Sequence, residues 1–219
     1  RVGNVIQENA VVNVNCNKTG LINCDIEVSN VSGNGSINLI IDKDTLVNKN
    51  ASSKVTTIYT DVKLDTKGPE IAYKGRENTN SSLKYATSKD TVTLKFEATD
   101  QEFDNDALTI DDIKVYINGK EENVTKVLNK KDITNGKSYE LKISNMTSNG
   151  DISVVIAKDK IKDSLGNGNK EKVITPGITV DNILPVISFD INGNNEFRVS
   201  AEVEIEAKDT ETGINNNSL

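Results

Sequence analysis

Aspartates that follow predicted strands are the residues best suited to bind a metal ion in this chain. Asp65 and Asp181 each stand four residues before a proline, at Pro69 and Pro185, in two similar segments. Ca²⁺ prefers several carboxylate and carbonyl oxygens at once. Calcium ligands are therefore predicted at Asp65, Asp100, Asp104, Asp181 and Asp209, with Asp159 and Asp163 on a neighbouring loop. The alternative is that these aspartates cap turns and stay hydrated, which is the commoner role of Asp in loops.

Acid–base catalysis would need paired carboxylates, and the chain offers Asp104, Asp106, Asp111 and Asp112 close together. However, it contains no His, which removes the commonest general base and every His-ligated metal site. Trp is also absent and aromatic residues make up only 4%, so little is available for surfaces that stack on sugars or bases. We therefore expect no enzyme, and we interpret these four carboxylates as solvated loop acids.

Two cysteines, Cys16 and Cys24, lie eight residues apart around Gly20. A hairpin with a short loop at Gly20 would place them opposite each other, within reach of a disulfide. We predict that Cys16 and Cys24 are bridged, and the alternative is a pair of small buried thiols. By sequence alignment, Lys131 and Tyr139 stand at the equivalent positions later in the chain.

Composition limits the partners and the compartment. The 219 residues carry a net charge of −7 and no basic cluster that would neutralise phosphates, so nucleic acid is not expected. The apolar segments are strand-sized, and a membrane span would need roughly 20 such residues. The chain opens with Arg1 and contains no signal-like segment, and we therefore interpret it as a fragment of a longer protein.

An internal repeat defines the predicted domain organisation. Residues Glu27–Leu46 align without gaps with Lys142–Ile161, at a spacing of 115 residues. Residues Val92–Asp100 resemble Ala201–Asp209 at a spacing of 109. The junction residues Asp65 and Asp181 are 116 apart, so the third copy is shorter between its junction and this strand. The missing residues belong to a polar loop, which tolerates changes in length. The predicted modules are the C-terminal part of a first copy (1–65), a complete copy (66–180) and the N-terminal part of a third (181–219).

Alternation of apolar and polar residues predicts β-strands throughout the complete copy. Val92, Leu94, Phe96 and Ala98 would face one side of such a strand, with polar residues on the other. Asn-Gly pairs and a glycine-rich loop separate about seven runs of this kind. That count favours an immunoglobulin-like β-sandwich, although a different sandwich or a small barrel would fit the same pattern.

Three motifs resemble those of the bacterial immunoglobulin-like repeats found in cell-surface proteins and adhesins. They are Ala98-Thr99-Asp100, the loop Ile161-Lys162-Asp163-Ser164-Leu165-Gly166-Asn167, and the junction Val180-Asp181-Asn182-Ile183-Leu184-Pro185. The resemblance covers essentially the whole chain. The first copy departs from it where Ala51-Ser52 replace Gly166-Asn167, so a function of that loop common to all copies is not expected.

The resemblance implies an extracellular, non-catalytic role. The modules would form a stalk or spacer of a bacterial surface protein and would contact mainly their neighbouring modules, with a direct role in adhesion as an extension. No host or matrix ligand can be read from the sequence, and Ca²⁺ is the one cofactor considered. The alternative is that they are accessory modules of a secreted enzyme such as a glycoside hydrolase.

Overall fold

The computed structural model describes residues 1–17, 23–45, 51–190, 204–210 and 212–213. These residues form an all-β protein without α-helices, which confirms the all-β part of the predicted fold class. The described residues include no helix long and apolar enough to cross a membrane. The chain divides into two compact units, one of residues 1–68 with 165–167 and one of residues 69–164 with 168–219.

The first unit contains two antiparallel strand pairs. Its strands are β1 (Val11–Asn17), β2 (Asn23–Ser29), β3 (Gly35–Ile41) and β4 (Thr56–Leu64). β1 pairs with β2 and β3 pairs with β4. Most of their side chains are exposed, and Val2 is the one apolar side chain described in residues 1–68 that is fully buried. Little apolar surface is therefore buried in this unit.

The second unit holds two sheets that share one core. Its strands are β5 (Glu70–Asn78), β6 (Tyr85–Ala86), β7 (Val92–Thr99), β8 (Phe103–Asp106), β9 (Ile113–Ile117), β10 (Lys120–Glu121), β11 (Thr125–Ile133), β12 (Gly136–Ser144), β13 (Gly150–Ile156), β14 (Ile161–Asp163), β15 (Lys172–Ile174), β16 (Thr179–Val180), β17 (Val186–Asp190) and β18 (Glu204–Lys208). A short 3₁₀ helix, Ile110–Asp112, precedes β9. Several strands have only two or three residues, so there are more of them than the seven longer runs predicted.

The first sheet has the strand order β11-β12-β7-β5, with every neighbour antiparallel. The second has the order β10-β9-β13-β16-β6, and β15 also pairs with β13. Its one parallel contact joins β16 to β6. β8 and β14 form a separate pair.

The predicted inward positions are buried. Val92, Leu94, Phe96 and Ala98 have no measurable exposure, as the alternation predicts. The rings of Phe96 and Tyr139 stack across β7 and β12 with their centroids 4.7 Å apart. The core also contains Ile113, Val115, Ile117, Leu141, Ile143, Ile152, Val154 and Ile156. Because these residues come from both sheets, the arrangement is that of a β-sandwich.

β17 and β18 form a two-stranded sheet of their own. Ile187, Phe189 and Ile205 are 64–66% exposed there, although they alternate as core residues would. The division into units assigns these strands to the second unit and does not separate residues 181–219. The boundary that the structure does show lies between Gly68 and Pro69, three residues from the predicted module boundary at 65.

Candidate functional site

Two of the predicted calcium ligands approach each other in the second unit. A carboxylate oxygen of Asp100, which follows β7, lies within 4.8 Å of a carboxylate oxygen of Asp163 at the end of β14. Asp163 is 2% exposed. Two carboxylates this close disfavour each other's charge unless a cation or hydrogen-bond donors compensate them. Asp104 is exposed in β8, and it does not join this pair.

Most of the predicted ligands also accept hydrogen bonds from nearby backbone N–H groups. In the first unit Asp65 accepts one from Lys67, at 3.0 Å. In the second unit Asp100 accepts one from Glu102, and Asp209 accepts bonds from Thr212 and Gly213. This is the turn-capping role considered as the alternative to calcium binding.

Asp181 is both buried and a turn-capping residue. It is 5% exposed, and its Oδ1 accepts the N–H of Ile183 at 3.0 Å. Its Oδ2 is buried and accepts no hydrogen bond from the residues that the structure describes. Burying a carboxylate oxygen without a donor is costly, and a cation would remove that cost.

We predict that Ca²⁺ stabilises the second unit through these carboxylates. The thermal midpoint of the whole chain should rise in millimolar calcium relative to chelator, because an ion that binds only the folded state stabilises it. Asp100→Asn and Asp181→Asn should each reduce the rise. Asp61→Asn, at an exposed position of β4, is the control. Equal midpoints with and without calcium would leave only the turn-capping role.

The junction after β16 is held to the second unit by a small set of hydrogen bonds. Asn182 is central to it, because its backbone N–H donates to the side chain of Asn149 at 2.7 Å and its Oδ1 accepts the N–H of Ser88 at 2.6 Å. Its Nδ2 donates to the carbonyl oxygens of Met146 and Ser148. Together with the bond from Ile183 to Asp181, these contacts form what we call the junction clamp.

The end of the first unit has a matching set of contacts. The N–H of Thr66 donates to the side chain of Asn34 at 3.2 Å, and Thr66 Oγ1 donates to the carbonyl oxygen of Gly33 at 3.3 Å. The N–H of Lys67 donates to Asp65, as that of Ile183 does to Asp181. Asn149-Gly150 is one of the Asn-Gly pairs that predict turns, but no junction contact was predicted for Asn34 or Asn149. They are 115 residues apart, each directly before a glycine, and that spacing could have identified them.

We predict that the clamp contributes measurably to stability. Asn182→Ala should lower the free energy of unfolding of the second unit by about 1–3 kcal/mol, because it leaves the N–H of Ser88 and the carbonyl of Met146 without this partner. Asn182→Thr should cost less, since Thr66 makes the corresponding bond in the first unit. The control is Asn129→Ala, an exposed residue of β11, and it should stay within about 0.5 kcal/mol. Urea titration measures all three, and equal losses would contradict a role for the clamp.

The four carboxylates considered for catalysis have different environments. Asp104 and Asp111 are exposed, as predicted. Asp106 and Asp112 correct the prediction of solvated acids. The Asp106 side chain is 2% exposed and pairs with Lys130 at 2.9 Å, and that of Asp112 is 14% exposed and pairs with Lys160 at 2.6 Å. Both carboxylates form ion pairs within the fold.

Asp112 also completes a hydrogen-bonded turn. Its Oδ2 accepts the N–H and the hydroxyl of Thr109, at 2.9 and 2.7 Å, at the start of the 3₁₀ helix. The hydrogen bond from Lys160, followed by those from Thr109, lowers the pKa of Asp112 from 3.8 to about 2. Burial of Tyr139, followed by the nearby charge of Asp106, raises the pKa of that phenol.

A lowered carboxyl pKa predicts a specific pH dependence. The charge of Asp112 stabilises the folded state fully above pH 4, and the contribution is lost as the pH falls from about 4 to 2. Asp112→Asn should therefore be less stable than the native chain by about 1 kcal/mol at pH 7 and equal to it near pH 2. Urea titrations across this range measure the difference. Asp111→Asn, the exposed neighbour, should show no such convergence, and a pH-independent loss for Asp112→Asn would contradict the assignment.

The cysteines lie in the first unit. Cys16 in β1 is directly opposite Cys24 in β2, and the two sulfurs form a disulfide. Gly20, the predicted centre of the hairpin loop, lies outside the described residues. The bond joins neighbouring strands of a unit with little buried apolar surface, where a covalent link contributes most.

Comparison with protein-family models, with curated proteins and with solved structures finds no match for this chain.

Proposed function

We propose that this chain is a non-catalytic region of tandem immunoglobulin-like modules in a secreted bacterial cell-surface protein. In this proposal the modules act as a stalk that spaces other parts of the protein from the cell. The observation that carries it is the recurrence of the junction clamp. Three hydrogen bonds made by Thr66 and Lys67 have counterparts made by Asn182 and Ile183, at spacings of 115 and 116 residues.

The clamp explains why the chain repeats the Asp-x-x-x-Pro segment. In each unit the Asp accepts the N–H two residues later, and the residue between them is tied to the loop before β3 or β13. These bonds fix the direction in which the chain leaves a module. The proline then limits φ just before the next strand, β5 or β17. A spacer needs this combination, because a loose exit would let successive modules swing freely.

Unusual backbone conformations recur at the same spacing. Asn30 and Asn145 have φ of 55° and 59°, and Asp44 and Asp159 have φ of 63° and 62°. Gly35 and Gly150 have φ of 134° and 125°, which favours glycine. Positive φ angles are uncommon for residues other than glycine. Their coincidence at a spacing of 115 residues supports a structural repeat rather than a chance similarity of composition.

Strand register supports the third copy. Ile71 lies opposite Ala98 and Tyr73 opposite Phe96 in the pair β5–β7. In the pair β17–β18, Ile187 lies opposite Ala207 and Phe189 opposite Ile205. These are the residues obtained by adding 116 to the first strand and 109 to the second. A shift of one residue would have moved every side chain to the other face.

The strand order agrees with an immunoglobulin-like topology. That fold has strands A, B, E and D in one sheet and C, F and G in the other. If β5, β7, β9, β11, β12, β13 and β15 are taken as A to G in chain order, the first sheet has the order A-B-E-D. β13 then stands between β9 and β15 as F stands between C and G.

The disulfide supports an extracellular location, because disulfides persist in oxidising compartments. The pairing of the strands also revises one pair of equivalent positions that the sequence alignment gave. The residue opposite Tyr139 in β11 is Lys130 rather than Lys131, so Lys130 and Tyr139 correspond to Cys16 and Cys24. The Lys130 ammonium lies 6.0 Å from the centre of the Tyr139 ring. A cation–π contact therefore occupies the position of the disulfide in the second unit.

A domain replacement in the encoding gene tests the spacer role. Residues 66–180 are either deleted or replaced by an unrelated β-sandwich of similar length, and attachment of the intact bacteria to their substratum is measured. Deletion should impair attachment by shortening the stalk. The unrelated sandwich should restore it, because length and stiffness are all that a spacer supplies.

Two results would contradict the proposal. Failure of the unrelated sandwich to restore attachment, at equal surface expression, would indicate that this module itself binds the ligand. Recovery of the polypeptide only in the medium, joined to a catalytic domain, would indicate accessory modules of a secreted enzyme.

A further inference from the structure

The short strand β16, which precedes the junction, is held to an early strand of the same unit by a parallel pair. β16 pairs in parallel with β6. The N–H of Thr179 donates to the carbonyl oxygen of Lys84, and that of Asp181 donates to Ala86, each at 2.8 Å. Every other strand pair that the structure describes is antiparallel.

The parallel direction matters because of where the chain enters and leaves the sandwich. The chain enters at Pro69, passes through β5 and reaches β6 at the N-terminal end of that strand. It leaves from the C-terminal end of β16. Tension along the chain therefore pulls the two parallel strands in opposite directions along their length, which stretches all their hydrogen bonds at once. In an antiparallel pair the same tension would act at one end and would open the bonds one after another.

Two further contacts join the same two segments of the chain. The guanidinium of Arg76 in β5 donates to the carbonyl oxygen of Leu83 at 2.8 Å and to that of Pro176, shortly before β16. The N–H of Ser88, just after β6, donates to Oδ1 of Asn182 at 2.6 Å. Hydrogen bonds from a charged guanidinium are among the stronger ones in proteins. The parallel pair is thus supported on both sides.

Asp90 holds the segment that contains β6 in place. It is 8% exposed, and its carboxylate accepts hydrogen bonds from Thr79 at 3.2 Å and Asn80 at 2.8 Å, both before β6. It also accepts the N–H and the hydroxyl of Thr87, directly after β6, at 2.7 and 2.9 Å. These bonds close the segment into a loop, so tension reaches the parallel pair without first unravelling it.

We infer that these contacts resist unfolding of the sandwich when the chain is under tension. We call them the shear clamp, and it consists of the hydrogen bonds that join Arg76, Lys84, Ala86 and Ser88 to Pro176, Thr179, Asp181 and Asn182. The inference rests on the proposed function, because a stalk between a cell and its point of attachment is pulled along its length. Unfolding under force is governed by the unfolding rate rather than by equilibrium stability.

The exit side of the sandwich is the weaker one. On the entry side β5 pairs with β7 from Glu70 to Asn78. On the exit side β16 consists only of Thr179 and Val180. Because β16 has so few ladder bonds of its own, its attachment to β6 and the bonds beside it set the rate at which the sandwich opens.

The direction of pulling tests the inference with the native contacts in place. The whole chain is held by its two ends in optical tweezers, and unfolding is recognised by a gain in length of roughly 3.5 Å per residue. In a second geometry one handle is attached to Lys89→Cys, at an exposed position after β6, and the other stays at the C-terminal end. The new thiol is unique, because Cys16 and Cys24 are bridged.

The second geometry pulls both parallel strands from the same end, so it peels them apart. At equal force, unfolding should be about tenfold faster or more than with end-to-end pulling, because the bonds then resist one at a time.

A matched pair of variants gives an independent test under end-to-end tension. Arg76→Ala should raise the unfolding rate by about tenfold, because the bond to Pro176 is lost before the sandwich opens. Lys126→Ala is the control, because Lys126 also donates to two carbonyl oxygens, those of Ile110 and Ile113, but lies outside the shear clamp. It should change the rate under tension by less than about twofold. Urea titration should show similar losses of stability for both variants.

Equal unfolding rates in the two pulling geometries would overturn the inference, and so would equal acceleration by Arg76→Ala and Lys126→Ala under tension. Either result would leave the spacer role intact, since domain replacement tests that role separately. Conversely, a module that binds a ligand itself would fail the replacement test and would still show the two predicted differences under tension.

Discussion

The pairing of β7 with β12 is the contact on which the second unit depends. These central strands contribute Phe96, Leu94, Tyr139 and Leu141 to the core, and β5 and β11 attach to their outer edges. Side chains alternate in and out along both strands, so one register decides which residues are buried. In the pair β17–β18, which joins no further strand among the described residues, the same apolar alternation is exposed.

Much of this architecture could be predicted from the sequence because a period of two is a local property. Val92 to Ala98 show their buried face without any knowledge of partners, and the 115-residue spacing identifies matching positions in distant segments. Long-range pairing is harder to predict. Lys130 rather than Lys131 faces Tyr139, because these paired residues are nine positions apart, whereas the paired Cys16 and Cys24 are eight apart. A single residue in a loop is enough to change every cross-strand pair.

The acidic residues illustrate the same limit. Asp104 and Asp106 are two residues apart in β8, but only Asp106 is buried, where Lys130 from β11 reaches it. Asp112 is tied to Thr109, which a sequence pattern could suggest, and to Lys160, which it could not. Calcium binding at the junction aspartates stays a prediction, but their turn-capping bonds, the alternative role, could be anticipated because the partners lie only two residues away. Local contacts of Asp are therefore predictable, whereas its burial depends on strands that are distant in sequence.

If the chain is the proposed stalk, the junction clamp connects local geometry with the behaviour of successive modules. A β-strand that leaves a sandwich has no further ladder to hold it, so its direction depends on the last few hydrogen bonds. In the second unit these come from Asn182, whose side chain and backbone together bind four loop residues, Ser88, Met146, Ser148 and Asn149. Thr66 has a shorter side chain, and it contacts only Gly33 and Asn34 in the first unit. The two junctions therefore share the same backbone hydrogen bonds, but the side chain at the central position forms more of them in the second unit than in the first. Variation at this one position would be a simple means of making such a junction stiffer or looser without altering the strands of either unit.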